Sequence, residues 1–127
     1  MLHFQKPNPQ GKPLTVLHGQ IFNVVVGVRT DIPRFGQHAA IELAANAARQ
    51  LWVPPGLAHG FCVLSDFADC VFKCTARYHP DTEHAVLWNG PDLAIDWPVK
   101  APILCNRDSM APRLAGAPVL PQMFGPR

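Results

Sequence analysis

Short stretches of alternating apolar and polar residues, separated by turn-forming residues, run through most of the sequence. The clearest pair is 14–19 and 21–29, and the Gly19-Gln20 step between them predicts a β-hairpin. In the second stretch one face is wholly apolar: Phe22, Val24, Val26 and Val28. The opposite face includes Asn23 and Arg29, so we expect that face to border a cavity rather than a sealed core.

The chain continues this pattern as far as residue 90. Further strands are expected over residues 38–43, 50–53, 58–64, 70–78 and 86–88. The alanine-rich segment 44–50 has helical propensity, but it is short and its apolar face is made only of alanine. We therefore interpret it as the turn of a strand–turn–strand unit. From Pro91 onward the sequence is proline-rich and irregular.

The spacing of these strands indicates the fold class. Short strands every ~8–12 residues, in a chain of 127 residues with 14 prolines and 9 glycines, predict an all-β fold of antiparallel strands. A jelly-roll barrel suits the mixed strand faces because it closes its sheets around a pocket. The length predicts a single domain over 1–127, in which 99–127 form an irregular C-terminal tail that packs on the barrel.

Charge and cysteine content narrow the function classes. Eleven Lys and Arg against nine Asp and Glu give a formal charge of +2 without a basic stripe, which argues against nucleic acid as a partner. No apolar run reaches the ~18 residues that a membrane span requires. The four cysteines show no CxxC spacing and are interpreted as reduced, small buried residues of a cytoplasmic protein.

Histidine is the main candidate for chemistry, since neither a nucleophile-elbow serine nor a phosphate-binding glycine loop is present. All six histidines are isolated, and the absence of a His-x-His pair argues against a metal site. His3 and His59 stand out by their sequence context. On residue type alone, a hydrogen-bonded structural histidine is the favoured interpretation of each.

Several motifs together resemble the dTDP-4-dehydrorhamnose 3,5-epimerase family. They are Leu2-His3-Phe4-Gln5, Gln10-Gly11-Lys12-Pro13 and the segments 32–37, 49–65, 87–89, 92–98, 106–108 and 111–114. The likeness covers nearly the whole chain. It implies a cupin-like jelly roll that acts as a homodimer, without metal or organic cofactor, on a dTDP-4-keto-6-deoxy sugar.

The resemblance also implies roles for single residues. His3 matches the family's base and Asp108 the aspartate that orients it. His59 and Lys12 match positions suited to stabilising an enolate oxygen or polarising a ketone, and Lys12 could also serve the anionic end of the ligand. The substrate-binding residues implied are Gln5, Lys12, His59, Phe72 and Tyr78.

Three departures from the family pattern change these expectations. The family's tyrosine acid is Phe72 here, which leaves epimerisation at C3 expected and epimerisation at C5 in question. Tyr78 lies six residues on, about 20 Å along an extended strand, so we expect it to bind the nucleotide instead. The family aspartate of a Phe-Asp-Val strand is Asn23.

The third departure concerns the N-terminal strands of the family, which have no counterpart here, so a partial domain is expected. Exposed sheet edges would then lower stability or be compensated by oligomerisation. Two other functions stay open. One is a non-catalytic cupin that binds a nucleotide sugar or only a partner subunit, and the other is a related keto-sugar isomerase.

Overall fold

A computed structural model describes residues 2–117, which form eight strands and little helix. The strands are β1 Leu2–Gln5, β2 Lys12–His18, β3 Gln20–Gly27, β4 His38–Ala44, β5 Gln50–Val53, β6 Leu57–Val63, β7 Asp69–Phe72 and β8 Glu83–Val86. Short 3-10 turns cover Ala45–Ala47, Pro80–Thr82 and Leu114–Gly116, and one α-helical turn, α1, covers Asn106–Ser109.

All strand pairs are antiparallel, and they form two sheets. The larger sheet has the order β4-β3-β6-β1-β8 and the smaller one β5-β2-β7. The predicted hairpin is wrong: β2 is followed directly by β3, with Gly19 at φ 79° between them, but the two strands do not pair. β2 belongs to the smaller sheet and β3 to the larger one, so the turn at Gly19 connects the two sheets. A Cβ at Gly19 would collide with the Phe67 carbonyl oxygen, so glycine is required there. The all-β jelly-roll prediction is confirmed.

One face of the larger sheet carries the main core. The apolar face predicted for β3 packs with Leu2 and Phe4 of β1 and Val86 of β8, and all three are buried. Leu93 and Leu114 from the C-terminal segment cover this cluster. Burying a side chain of this kind stabilises the fold by about 1.5–3 kcal/mol, so this segment is integral to the fold.

The other face of the larger sheet meets the smaller sheet. At one end Leu14 and Val16 of β2 pack on Ile21 and Leu43 in a second apolar cluster. The face of β3 that includes Asn23 is this inner face. Asn23 is the register partner of Phe61 on β6, and Phe61 lines the space between the two sheets. Toward the other end of the interface the two sheets enclose a cavity, as the mixed polar pattern of β3 predicts.

The alanine-rich segment forms the predicted strand–turn–strand unit. β4 ends at Ala44, a 3-10 turn covers Ala45–Ala47, and Ala48 at φ 50° leads the chain toward β5. A helix here could have buried only methyl groups, whereas the extended β4 places Leu43 in the core.

Two predicted strands have at least one end that is wrong by three residues or more. β7 ends at Phe72 rather than at residue 78. The backbone N–H groups of Lys73 and Thr75 still donate to the carbonyls of Pro13 and Gly11, and beyond them two glutamine side chains bind the chain. Gln10 Nε2 donates to the Ala76 carbonyl at 2.9 Å and Gln5 Nε2 to the Arg77 carbonyl at 3.0 Å. The last strand is Glu83–Val86 rather than 86–88, because it pairs with β1 from Leu2↔Val86 to Gln5↔Glu83.

The segment from residue 99 is irregular apart from α1 and the last 3-10 turn, and its residues 118–127 lie outside the described part. The cysteine prediction is wrong on burial: Cys62 and Cys70 are half-buried, Cys74 and Cys105 are exposed, and all four are free. Among the described residues, no helix is long and apolar enough to cross a membrane.

Candidate active site

The cavity between the sheets has a volume of about 410 Å³. All seven residues predicted for the site line it: His3, Gln5, Lys12, His59, Phe72, Tyr78 and Asp108. The strand register explains why. His3 is paired with His59 across β1 and β6, so both rings project from the same face of the larger sheet. Lys12 and Phe72 reach the cavity from the smaller sheet.

His3 lies between two carboxylates. Its Nδ1 is 2.9 Å from Oε1 of Glu83, and its Nε2 is 3.5 Å from Oδ1 of Asp108. Burial lowers the pKa of His3 below its ordinary value, although the charges of Glu83 and Asp108 act in the opposite direction. A neutral imidazole is thus favoured at neutral pH, and the two carboxylates are placed to stabilise the imidazolium once it forms.

Glu83 is a residue that the sequence analysis missed. Its Oε2 accepts hydrogen bonds from the Tyr78 hydroxyl at 2.8 Å and from Nη2 of Arg107 at 2.9 Å. Burial raises the pKa of Glu83, but the bonds from Tyr78 and Arg107 and the charge of His3 together hold it below its ordinary value. Glu83 is therefore ionised at neutral pH and links His3 to Tyr78.

Tyr78 lies closer to His3 than its sequence position suggested. The estimate of about 20 Å from Phe72 assumed a continuous strand. Both side chains line the same cavity, and the Tyr78 hydroxyl lies 2.8 Å from the carboxylate of Glu83, which contacts His3. Tyr78 remains 56% exposed, so much of its ring is open to a ligand.

His59 is almost wholly buried, with 6% of its surface exposed. Its Nε2 lies 3.2 Å from Oδ1 of Asn23, and its ring packs edge-on against Phe72, with centroids 5.8 Å apart. Burial, and then the charges of Lys12 and His3, lower its pKa to about 4. His59 is therefore neutral throughout the physiological range.

The side chain of Gln5 makes its hydrogen bonds within the protein. Its Nε2 donates to the carbonyls of Asn8 and Arg77, and its Oε1 accepts from the backbone N–H of His79 at 3.0 Å. The side chain is buried and holds the segment that carries Tyr78 against β1. Its contact with substrate stays a prediction.

The described side chains offer several functional groups to a ligand in this cavity. Across residues 2–117, no three His, Cys, Asp or Glu side chains are grouped as a metal site would require. The cavity combines a neutral imidazole between carboxylates, the ammonium of Lys12 and the aromatic rings of Phe61, Phe72 and Tyr78. Such a set can accept a proton from carbon beside a ketone and stabilise the resulting oxyanion.

Comparison with known proteins gives consistent matches. The model of the family described as dTDP-4-dehydrorhamnose 3,5-epimerase matches residues 1–116. A dTDP-4-dehydrorhamnose 3,5-epimerase of Neisseria gonorrhoeae is 47% identical over 108 residues, which are 84% of this chain and 33% of that protein.

Solved structures agree in fold. The dTDP-6-deoxy-D-glucose-3,5-epimerase RmlC of Legionella pneumophila, in complex with dTDP-4-keto-L-rhamnose, superposes with a TM-score of 0.86 at 43% identity, covering 90% of this chain and 61% of that one. NovW of Streptomyces spheroides, a 4-keto-6-deoxy sugar epimerase, gives 0.92 at 37% identity, covering 96% and 63%. The chain thus spans a third of the first relative and just over three fifths of these two.

Proposed function

Because the chain belongs to the dTDP-4-dehydrorhamnose 3,5-epimerase family, we propose that it epimerises a dTDP-4-keto-6-deoxy sugar at C3 in deoxysugar biosynthesis, such as that of dTDP-L-rhamnose. The observation that carries this proposal is the position of His3. A neutral imidazole between Glu83 and Asp108, in a cavity shared with Lys12, has the chemistry that proton abstraction beside a ketone needs.

The proposed reaction begins with proton transfer from C3 to His3. A C–H bond next to a ketone is acidic because the electron pair left behind delocalises onto the ketone oxygen. A positioned base of this kind contributes typically about 10²–10⁴-fold to the rate. Glu83 and Asp108 stabilise the imidazolium, and the ammonium of Lys12 stabilises the enolate oxygen.

Inversion requires that a proton return to the opposite face of the carbon. Phe72 has a hydrocarbon ring on the cavity wall and cannot donate a proton. The Tyr78 hydroxyl is engaged with Glu83, on the same side as His3. We propose that solvent supplies the proton at C3 while the His3 imidazolium releases its proton to solvent, and that C5 is epimerised slowly or not at all.

The aromatic side chains support a nucleotide ligand. Tyr78 is exposed and lines the cavity beside Glu83, so its ring is available to pack on the nucleotide sugar. The diphosphate would be attracted by nearby cations, of which Arg107 is one candidate on α1.

We further propose that the chain acts as a homodimer in the cytoplasm, without a metal or an organic cofactor. Support for self-association comes from large apolar side chains on the surface. Trp52 and Leu17 are each 52% exposed, and Ile103 is fully exposed. Light scattering coupled to gel filtration tests this point, and a stable monomer would contradict it.

Solvent deuterium incorporation tests the reaction. The full chain is incubated with dTDP-4-keto-6-deoxyglucose in D₂O, and the sugar is analysed by NMR. Deuterium at C3, with little at C5, is the expected result. No incorporation at either carbon would contradict the enzymatic proposal.

Phe72 supports one alternative function, because its side chain is a hydrocarbon at the position where the family has its tyrosine acid. In that case the chain would be a non-catalytic cupin that binds nucleotide sugars. Calorimetric titration with dTDP, combined with the deuterium assay, separates the two cases. Binding of dTDP without deuterium exchange is expected only of the non-catalytic cupin.

A further inference from the structure

Asn23 and His59 form a buried pair next to the cavity. Asn23 is fully buried in β3, and the β3–β6 register places it opposite Phe61, with Val25 opposite His59. Asn23 and His59 are therefore diagonal neighbours on the inner face of the larger sheet. Oδ1 of Asn23 lies 3.2 Å from Nε2 of His59.

The orientation of the Asn23 amide is set from its other side. Its Nδ2 donates to the Ile41 carbonyl at 3.4 Å, and Ile41 is its register partner on β4. A rotated amide would place Oδ1 against that carbonyl, where neither oxygen could donate. Oδ1 therefore faces His59, and it can accept a hydrogen bond only if Nε2 carries the hydrogen.

We propose that Asn23 is a positioning residue that fixes His59 as the neutral Nε2–H tautomer, so that His59 meets the bound sugar through the Nδ1 lone pair and accepts a hydrogen bond from one of its hydroxyl groups. The identity of the sugar rests on the function proposed above. The tautomer itself rests only on Asn23, His59 and Ile41.

The charged surroundings of His59 support the neutral form. Lys12 approaches from β2 and His3 from the adjacent β1, and both disfavour a second positive charge. Phe72 of β7 and Phe61 of β6 itself add only hydrocarbon around the ring. Asn23 from β3 is uncharged, so none of these neighbours stabilises an imidazolium at this position.

The tautomer changes the role of His59 in the proposed reaction. The resemblance implied a group that stabilises the enolate oxygen or polarises the ketone, and either task requires a hydrogen on the nitrogen that faces the ligand. A lone pair on Nδ1 would repel an oxyanion. Stabilisation of the oxygen then rests on Lys12, and His59 orients the sugar instead.

The tautomer can be measured without substrate. Long-range ¹H–¹⁵N correlation spectra of the ¹⁵N-labelled full chain near pH 7 distinguish a protonated ring nitrogen from a bare one, and the His59→Gln spectrum identifies the signals. We expect the hydrogen on Nε2. A hydrogen on Nδ1, or averaged signals from both tautomers, would overturn the proposal.

A separate substitution tests the role of Asn23. Asn23→Asp places a carboxylate beside the ring and should raise the pKa of His59 by about 1–3 pH units, as an adjacent opposite charge does. Asn46→Asp, the same change in the exposed turn that follows β4, should leave the pKa of His59 unchanged. An unaltered His59 pKa in Asn23→Asp would contradict the contact.

The contact with a sugar hydroxyl is tested by titrating the labelled chain with dTDP-glucose and with dTDP. The Nδ1 signal should move with dTDP-glucose and not with dTDP alone. Equal movement with both ligands, or none at saturation, would overturn the acceptor role. Failure of both ligands to bind would refute the acceptor role and the proposed function together. The tautomer of His59 is tested independently, by the spectra of the ligand-free chain.

Discussion

Replacing Glu83 with glutamine removes one negative charge beside His3 and keeps the side chain nearly the same size. The carboxylate lies 2.9 Å from Nδ1 of His3 and is 17% exposed, so solvent screens it only in part. An opposite charge this close typically favours the charged form of a titratable group by about 1–3 pKa units, or about 1.4–4 kcal/mol before solvent screening. If that contribution stabilises the imidazolium in the transition state, the variant should exchange the C3 proton about 10–100-fold more slowly.

The pH profile gives a second signature. The charge of Glu83 raises the pKa of His3 against the effect of burial, so its removal should lower that pKa further. The acidic limb of kcat/KM for exchange at C3 should then move to lower pH while the plateau falls. A change in fold alone would lower the plateau without moving the limb.

The assay is initial deuterium incorporation at C3, followed by NMR between pH 4 and 9. Glu42→Gln, on the exposed side of β4, provides a matched control that should behave like the unmodified chain. An unchanged plateau and an unmoved limb in Glu83→Gln would show that Glu83 does not act on His3.

Three further predictions concern other parts of the molecule. Phe72→Tyr should increase deuterium incorporation at C5 relative to C3, and an unchanged C5 signal would mean that the missing hydroxyl is not limiting. Because burial lowers the pKa of His59 from 6.5 to about 4, the unfolded state takes up a proton first as the pH falls, so stability should decrease by about 3 kcal/mol between pH 6.5 and 4. Chemical denaturation should show this loss reduced in His59→Gln. Leu14→Ala should destabilise the fold by about 2–5 kcal/mol, whereas Leu17→Ala, at an exposed position, should change it by no more than about 0.5 kcal/mol.

The turn at Gly19 and the two faces of β3 could be predicted because they depend on local sequence, whereas the placement of β2 and β3 in different sheets could not. The mixed face that includes Asn23 indicated a cavity, and the motifs around His3 and His59 identified side chains that the β1–β6 register brings together. These features are visible in sequence because strand periodicity alone decides which side chains share a face.

The position of Tyr78 and the part played by Glu83 could not be predicted in the same way. Gln5 and Gln10, more than sixty residues away in sequence, bind the carbonyls of Arg77 and Ala76 and hold the segment that carries Tyr78. Glu83 lies outside the expected last strand because that strand was expected to begin at residue 86, three residues too late. Its place beside His3 follows from pairing between β1 and β8, which are far apart in the chain.

The exposure of the cysteines has a related cause. Cys74 was expected to be buried in a strand over residues 70–78, but it lies beyond the end of β7, and Cys105 precedes α1 on the surface. Residue type predicts burial only when the element that carries the residue is itself correctly placed.

The central claim is that His3 is the base, and its direct test is deuterium incorporation at C3 by His3→Asn. His18→Asn is the matched control, because His18 also contacts a carboxylate, that of Asp69, but at an exposed site outside the cavity. The account predicts exchange at C3 in the unmodified chain and in His18→Asn, and its loss in a folded His3→Asn protein. Exchange retained by His3→Asn would contradict the account.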